Sequence, residues 1–281
     1  MGSINFQGRQ SWYSESGANV LISAPSDADD GEPGITTTTL TSNGSYTDSF
    51  GGTSSAAPLV SGVIALLLES KPALGWRDVQ EILIRSARKV DSANTGWITN
   101  AAGFHFHHSY GAAMVDAAAA VALAENWNSL GTRESREVAL GAINAGIPDG
   151  ASTGVSRSFD LDGDELRVER VLCTVDIDHV YRGDLVITLT SPSGTVSQFS
   201  EVHGDDNEDY ENYTFLSVRH WGEMATTGPW IVKVSDGEAG DSGVLRSASI
   251  KVFGTAIASG YDAWVANSFS ASEQSNLSVV A

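Results

Sequence analysis

Hydrophobic residues along this chain change their spacing near its middle. In the first half they recur at helical steps. Val60, Val63, Ile64 and Leu67 mark one helix, and Trp76, Val79, Ile82, Leu83 and Val90 mark a second, with Arg85, Arg88 and Lys89 near its C-terminal end. The alanine-rich run Ala112 to Asn126 predicts a third helix, with Val115, Ala119 and Ala122 inward. Val20-Leu21-Ile22 reads as a short buried strand, Ile35 to Leu40 as a β-branched one, and the polar stretch from Ser26 to Ser49 as a surface loop around it. From Val168 onward the period falls to two. Val168, Val171 and Val175 lead into Leu185–Leu189, Trp230–Val234 and Ala248–Val252, separated by Gly, Pro, Asp and Asn turns. The pattern predicts an α/β unit, a connection over Trp127 to Ile147, and then a β-sandwich. Tyr261 to Ala281 shows no strong period and reads as a mobile linker.

The chemistry gathers at the start of the first helix, Gly51-Gly52-Thr53-Ser54-Ser55-Ala56-Ala57-Pro58. Pro58 reads as part of the first helical turn. Unpaired amides collect at such a start and the dipole there favours negative charge. A serine hydroxyl so placed can attack a carbonyl and have the resulting oxyanion held by neighbouring amides. The simpler alternative is an N-capping serine on a core helix.

Gly52-Thr53-Ser54-Ser55-Ala56-Ala57-Pro58 resembles the Gly-Thr-Ser-x-Ala-x-Pro signature around the nucleophile of subtilisin-like serine proteases. The flanking Ser11-Trp12-Tyr13-Ser14-Glu15, Trp76-Arg77-Asp78-Val79, His108-Ser109-Tyr110-Gly111 and Asn126-Trp127 resemble the kexin and furin branch. Ile147-Pro148-Asp149, His179 to Leu185, Ser191 to Thr195 and Gly228-Pro229-Trp230 resemble the P (homo B) domain that follows the protease domain in that branch. The resemblance implies an α/β fold over residues 1–127, the C-terminal portion of a subtilisin-like three-layer parallel-sheet domain. It implies an all-β jelly-roll sandwich over 134–256, and leaves 257–281 as the linker. It implies that Ser54 is the nucleophile and Glu15 a calcium ligand, with calcium a structural cofactor and secretion the destination. It further implies protein or peptide substrates cleaved after basic residues. In that family Gly stands where this chain has Ala113, an exchange that favours the predicted helix.

Composition narrows the partners. The 281 residues suffice for two modest domains, and 35 acidic against 16 basic residues give a net charge of −19. Such a surface repels nucleic acid and anionic membranes, and no apolar run approaches the length of a membrane span. The single cysteine, Cys173, forms no internal disulfide. Asp27, Asp29, Asp30 and Glu32 read as solvated loop residues, and His105, His107 and His108 as packing or surface groups. Asp160 to Asp164 begins like a calcium loop, but Glu165 and Val171 stand where that loop needs Gly and Glu, so it reads as a hairpin turn. Asp205 to Asp209 is oxygen-rich enough for a calcium ion, and Asn212-Tyr213-Thr214 is a formal glycosylation acceptor.

A serine nucleophile needs a base, a carboxylate to orient the base, and an oxyanion hole. The family order is Asp, His, oxyanion Asn, then Ser, and this chain opens after the first three. The expectation is a fragment of a serine endopeptidase, inactive by itself, whose partner is the missing N-terminal half of the protease domain. Residues 1–125 should then expose apolar surface, whereas 134–256 should fold alone. The competing readings are a non-catalytic P-domain binding or stabilising module with a vestigial protease segment, and a purely structural remnant.

Overall fold

The structure is a computed structural model that describes residues 1–27, 33–40 and 44–257. Asp29, Asp30, Glu32 and the linker residues 258–281 lie outside the described residues. Two short parallel strands, β1 (Gly2–Ile4) and β2 (Ser23–Pro25), open the chain and pair in register. The strand begins at Ser23 and not at Val20. Val20 and Ile22 are buried as expected, but as the approach to the strand. β3 (Ile35–Thr38) forms a hairpin with β4 (Tyr46–Phe50), a strand hidden in the sequence by its polar residues.

Helix α1 (Thr53–Ser70) follows, then α2 (Trp76–Ser86). Pro58 is the sixth residue of α1, beyond its first turn, and without an N–H it leaves the Ser54 carbonyl unbonded at the i−4 position. By length and composition α1 suffices to cross a membrane, which the interrupting Ser and Gly residues conceal in the sequence. In the fold it packs on the β1–β2 pair and on the third helix, α3 (Ala117–Glu125). Between α2 and α3 lies the small pair β5 (Ile98–Thr99) and β6 (His105–Phe106).

α3 is shorter than the alanine run suggests. Residues 112–116 are not helical, Met114 bridges to Ser23 and Arg88, and Ala113 takes φ +150°, where glycine is favoured. The alanine therefore does not serve a helix there. α2 likewise stops at Ser86, leaving Arg88, Lys89 and Val90 beyond it.

Among the described residues the parallel sheet amounts to β1 and β2, so the helices are covered on one side. Leu66 is 53% and Trp76 51% exposed, and a trough of about 500 Å³ lined by Val60, Ile64, Leu68, Leu74, Trp76 and Leu83 lies between α1 and α2. This is the apolar surface expected of the first unit.

The second unit is two antiparallel sheets. β7 (Arg133–Leu140), β8 (Ala145–Ile147), β10 (Leu166–Asp178), β13 (Tyr210–Ser217) and β15 (Gly243–Ala256) form one, in the order β13-β10-β15-β7 with β8 also on β15. β9 (Val155–Phe159), β11 (Leu185–Thr190), β12 (Val196–Ser200) and β14 (Trp230–Asp236) form the other, in the order β12-β11-β14-β9. Alternate residues of both meet in a core whose buried members lie within residues 147–252, with Phe159, Leu166, Ile187 and Trp230 fully buried. No residue of the first unit contributes to that core. The Asp160–Asp164 segment carries the chain from β9 in one sheet to β10 in the other, so it is a crossing between sheets and not a hairpin turn.

A charged seam joins the units along one face of α2, where Arg77, Glu81 and Arg85 recur every four residues. Arg77 Nε donates to Glu169 Oε2 at 2.8 Å, and its other nitrogens reach the Gly131 carbonyl and Thr255 Oγ1 at 2.6 Å each. Glu81, 1% exposed, accepts from Arg85 at 2.7 Å, Arg167 at 2.7 Å and Trp221 Nε1 at 3.1 Å. Around it Ile84, Phe106 and Ala112 of the first unit pack with Val218 and Trp221 of the second.

Burial alone would raise the Glu81 carboxyl, but hydrogen bonds and charge from Arg167 and Arg85 outweigh it and hold it below its ordinary value. Its contribution to stability is thus complete above the unfolded value of about 4.3 and is lost as pH falls through the depressed folded value. The expected outcome is a melting temperature that drops steeply below about pH 4, with a shallower drop in Glu81→Gln. Identical acid limbs for the two proteins would contradict it.

Candidate active site

Ser54 is the second residue of α1 and is exposed. Gly52 before it takes φ +77°, turning the chain sharply into the helix. Its N–H is shared between Tyr13 Oη at 3.0 Å and Asp27 Oδ1 at 3.1 Å, and the Ser55 N–H bonds back to the Gly52 carbonyl at 3.0 Å. The amides of Thr53 and Ser54 have no such protein acceptor among the described residues, as is usual for a helix start. The site therefore presents an outward hydroxyl beside amides that can receive an oxyanion. The capping alternative is not what forms, because the N-cap position is Gly52 and Ser54 lies inside the helix.

Three residues that frame this turn, Tyr13, Ser26 and Asp27, lie far from it in the sequence. Tyr13 and Ser26 lie 2.6 Å apart through their hydroxyls, and Ser26 Oγ reaches the Gly52 carbonyl at 2.8 Å and Ser55 Oγ at 2.7 Å. Asp27, expected as a solvated loop residue, accepts from Tyr13 and Gly52. Desolvation would raise its carboxyl, but the bonds from Tyr13, Gly52 and Ser26 outweigh that and hold it below the ordinary carboxylate range. Tyr13 belongs to the Trp-Tyr-Ser-Glu segment, so its neighbourhood was marked, though its contact with Gly52 was not.

The other candidates are dispersed. Glu15 is exposed and borders a cleft of about 450 Å³ shared with Arg182, Glu201 and Asp205. Calcium takes six to eight oxygens. Among the described residues no group of three or more His, Cys, Asp or Glu is placed to hold a metal, so these residues do not by themselves fit a calcium ion.

Asp205 is occupied by Arg182 Nε at 2.7 Å and by the Asn207 amide at 3.1 Å, which pull its pKa down to about 2. Asp209 Oδ1 accepts from the His179 N–H at 2.8 Å. The acidic run Asp205–Asp209 thus ties its loop to the His179–Arg182 segment.

His107 packs against both Trp97 and Tyr110, accepts from Ser109 N–H through Nδ1 at 3.0 Å and meets Asn94 Oδ1 at 3.1 Å. None of the six histidines hydrogen-bonds Ser54 among the described residues.

Residues 1–147 match the subtilase family, and residues 168–252 match the proprotein convertase P-domain. The chain belongs to the subtilase family. This subtilase is 34% identical over 265 residues to proprotein convertase subtilisin/kexin type 5 of Homo sapiens, an alignment covering 89% of this chain and 14% of that protein. It is 31% identical to the dibasic-processing endoprotease of Yarrowia lipolytica, covering 90% of this chain and 27% of that protein. The crystal structure of a serine protease of Aeromonas sobria superimposes with a TM-score of 0.81 at 25% identity, covering 90% of this chain and 57% of that one. The subtilase chain therefore spans well under half the length of these two curated relatives.

A Cβ on Gly52 would meet nothing nearer than 3.6 Å, so space is available and the backbone angle alone opposes substitution. Gly52→Ala should cost about 1–2 kcal/mol in urea unfolding. A change within a few tenths would show that the left-handed turn before Ser54 is not maintained.

Proposed function

We propose that this chain carries the nucleophile of a kexin-class serine endopeptidase, with Ser54 attacking the scissile carbonyl of a protein or peptide. The observation that carries the proposal is an exposed Ser54 hydroxyl on the first turn of a helix whose Thr53 and Ser54 amides lack a protein acceptor among the described residues. As Oγ bonds to the carbonyl carbon, its proton must pass to a base and negative charge develops on the carbonyl oxygen. The Ser54 N–H is one donor to that oxygen. The free Ser54 carbonyl, left by Pro58, keeps the first turn from being locked by its own ladder.

No histidine among the described residues reaches Ser54, so the proposal assigns the base and its orienting carboxylate to a part of the protease domain outside these 281 residues. The chain alone is then inactive. Cleavage after basic residues is part of the proposal, in keeping with a relative named for dibasic processing. So are secretion, a structural calcium ion completed by groups beyond Glu15, and a jelly-roll path for the two-sheet unit.

The test is labelling of the full-length natural protein with an alkyl fluorophosphonate, located by peptide mass spectrometry. The label should sit on Ser54, and Ser54→Ala should lose it with an unchanged melting temperature, peptide hydrolysis falling by roughly 10³-fold or more. A folded, full-length protein that takes no label at Ser54 would instead support the non-catalytic stabilising module.

A further inference from the structure

α1 starts without a cap of its own. Gly52 offers no side chain, and no acidic residue stands in the first turn. An anion would be favourable there. It comes from 25 residues upstream, where Asp27 Oδ1 receives the Gly52 N–H at 3.1 Å.

The carboxylate is itself fixed from several sides. The Tyr13 hydroxyl donates to it, Ser26 Oγ lies 3.2 Å from Oδ1, and Ser11 Oγ holds the Asp27 carbonyl at 2.6 Å. A Cβ built on Gly51 would fall 2.0 Å from the carboxylate, so Asp27 lies directly on the backbone of the turn. Resting on the reading of Ser54 as nucleophile, we infer that Asp27, together with Tyr13, is a positioning residue for the Ser54 turn, a cap supplied from 25 residues upstream that sets the direction of the Thr53 and Ser54 amides.

Asp27 does not act on the reacting atoms. A negative charge this near would oppose an oxyanion, so its use is geometric: it occupies the Gly52 amide, next to two amides that have no protein acceptor among the described residues. Displacing a reacting group by about 1 Å can cost about a hundredfold in rate. What matters is an acceptor at the position of Oδ1, more than its charge. Asn supplies that acceptor and Ala does not.

The experiment follows fluorophosphonate labelling of Ser54 in the full-length protein, resolved into a maximal rate and a half-saturating concentration. Asp27→Ala should lower the maximal rate by roughly 10- to 100-fold with the half-saturating concentration within about twofold. Asp27→Asn should retain the rate within about threefold, and Tyr13→Phe, which removes only the hydroxyl, should fall between. A structural role alone would lower the melting temperature while leaving the maximal rate per folded molecule unchanged, and Asn would rescue nothing in that rate. Wild-type rates in Tyr13→Phe and in the folded Asp27 variants, or Asn as impaired as Ala, would overturn the positioning role while leaving Ser54 the nucleophile. No label at Ser54 in the wild-type protein would overturn both.

Discussion

A helix begins with amides that have no carbonyl to bond, and the arrangement around Ser54 is a division of those amides between structure and chemistry. Gly52 N–H is satisfied by Tyr13 and Asp27, and Ser55 N–H folds back on Gly52. The amides of Thr53 and Ser54 have no protein acceptor among the described residues. The small residues of Gly51-Gly52 permit the close approach of Asp27, and the positive φ of Gly52 turns the chain so that Ser54 emerges at the surface. Sequence, turn geometry and electrostatics converge on one exposed hydroxyl.

The two units are joined by α2, whose Arg77 and Glu81 reach into the second unit. Arg77 and Glu81 each meet an opposite charge across the seam, and Glu169 is only 2% exposed. A buried pair of this kind is costly to break, because the remaining charge is stranded away from water. Asn100 adds neutral bonds to the Arg219 and Trp221 carbonyls at 3.0 and 2.9 Å. The opposite, apolar side of α2 borders the open trough with α1. The second unit therefore braces the helix layer from one side while the other side stays available for packing.

Much of this was legible in the residues. The Gly-Thr-Ser motif located the helix start, and the change of period from 3.6 to 2 separated the helical unit from the sandwich. What escaped the sequence has specific causes. β4 is built from Tyr46, Thr47, Asp48, Ser49 and Phe50, and only its pairing with β3 makes it a strand. Ala113 carries high helix propensity, yet bridging by its neighbour Met114 to Ser23 and Arg88 overrides it. Tyr13, Ser26 and Asp27 meet Gly52 across 25 to 39 residues, a distance over which no spacing rule operates. The Arg77-Glu81-Arg85 spacing was visible, but it looks the same on a solvated helix face as on a buried seam.

The direct measurement is a crystal structure of the full-length protein phosphonylated by a fluorophosphonate. The expected result is phosphorus bonded to Ser54 Oγ with its free oxygen about 2.7–3.1 Å from the Ser54 backbone nitrogen. Phosphorus on another residue, or an oxygen turned away from the first turn of α1, would contradict a nucleophile built on these amides.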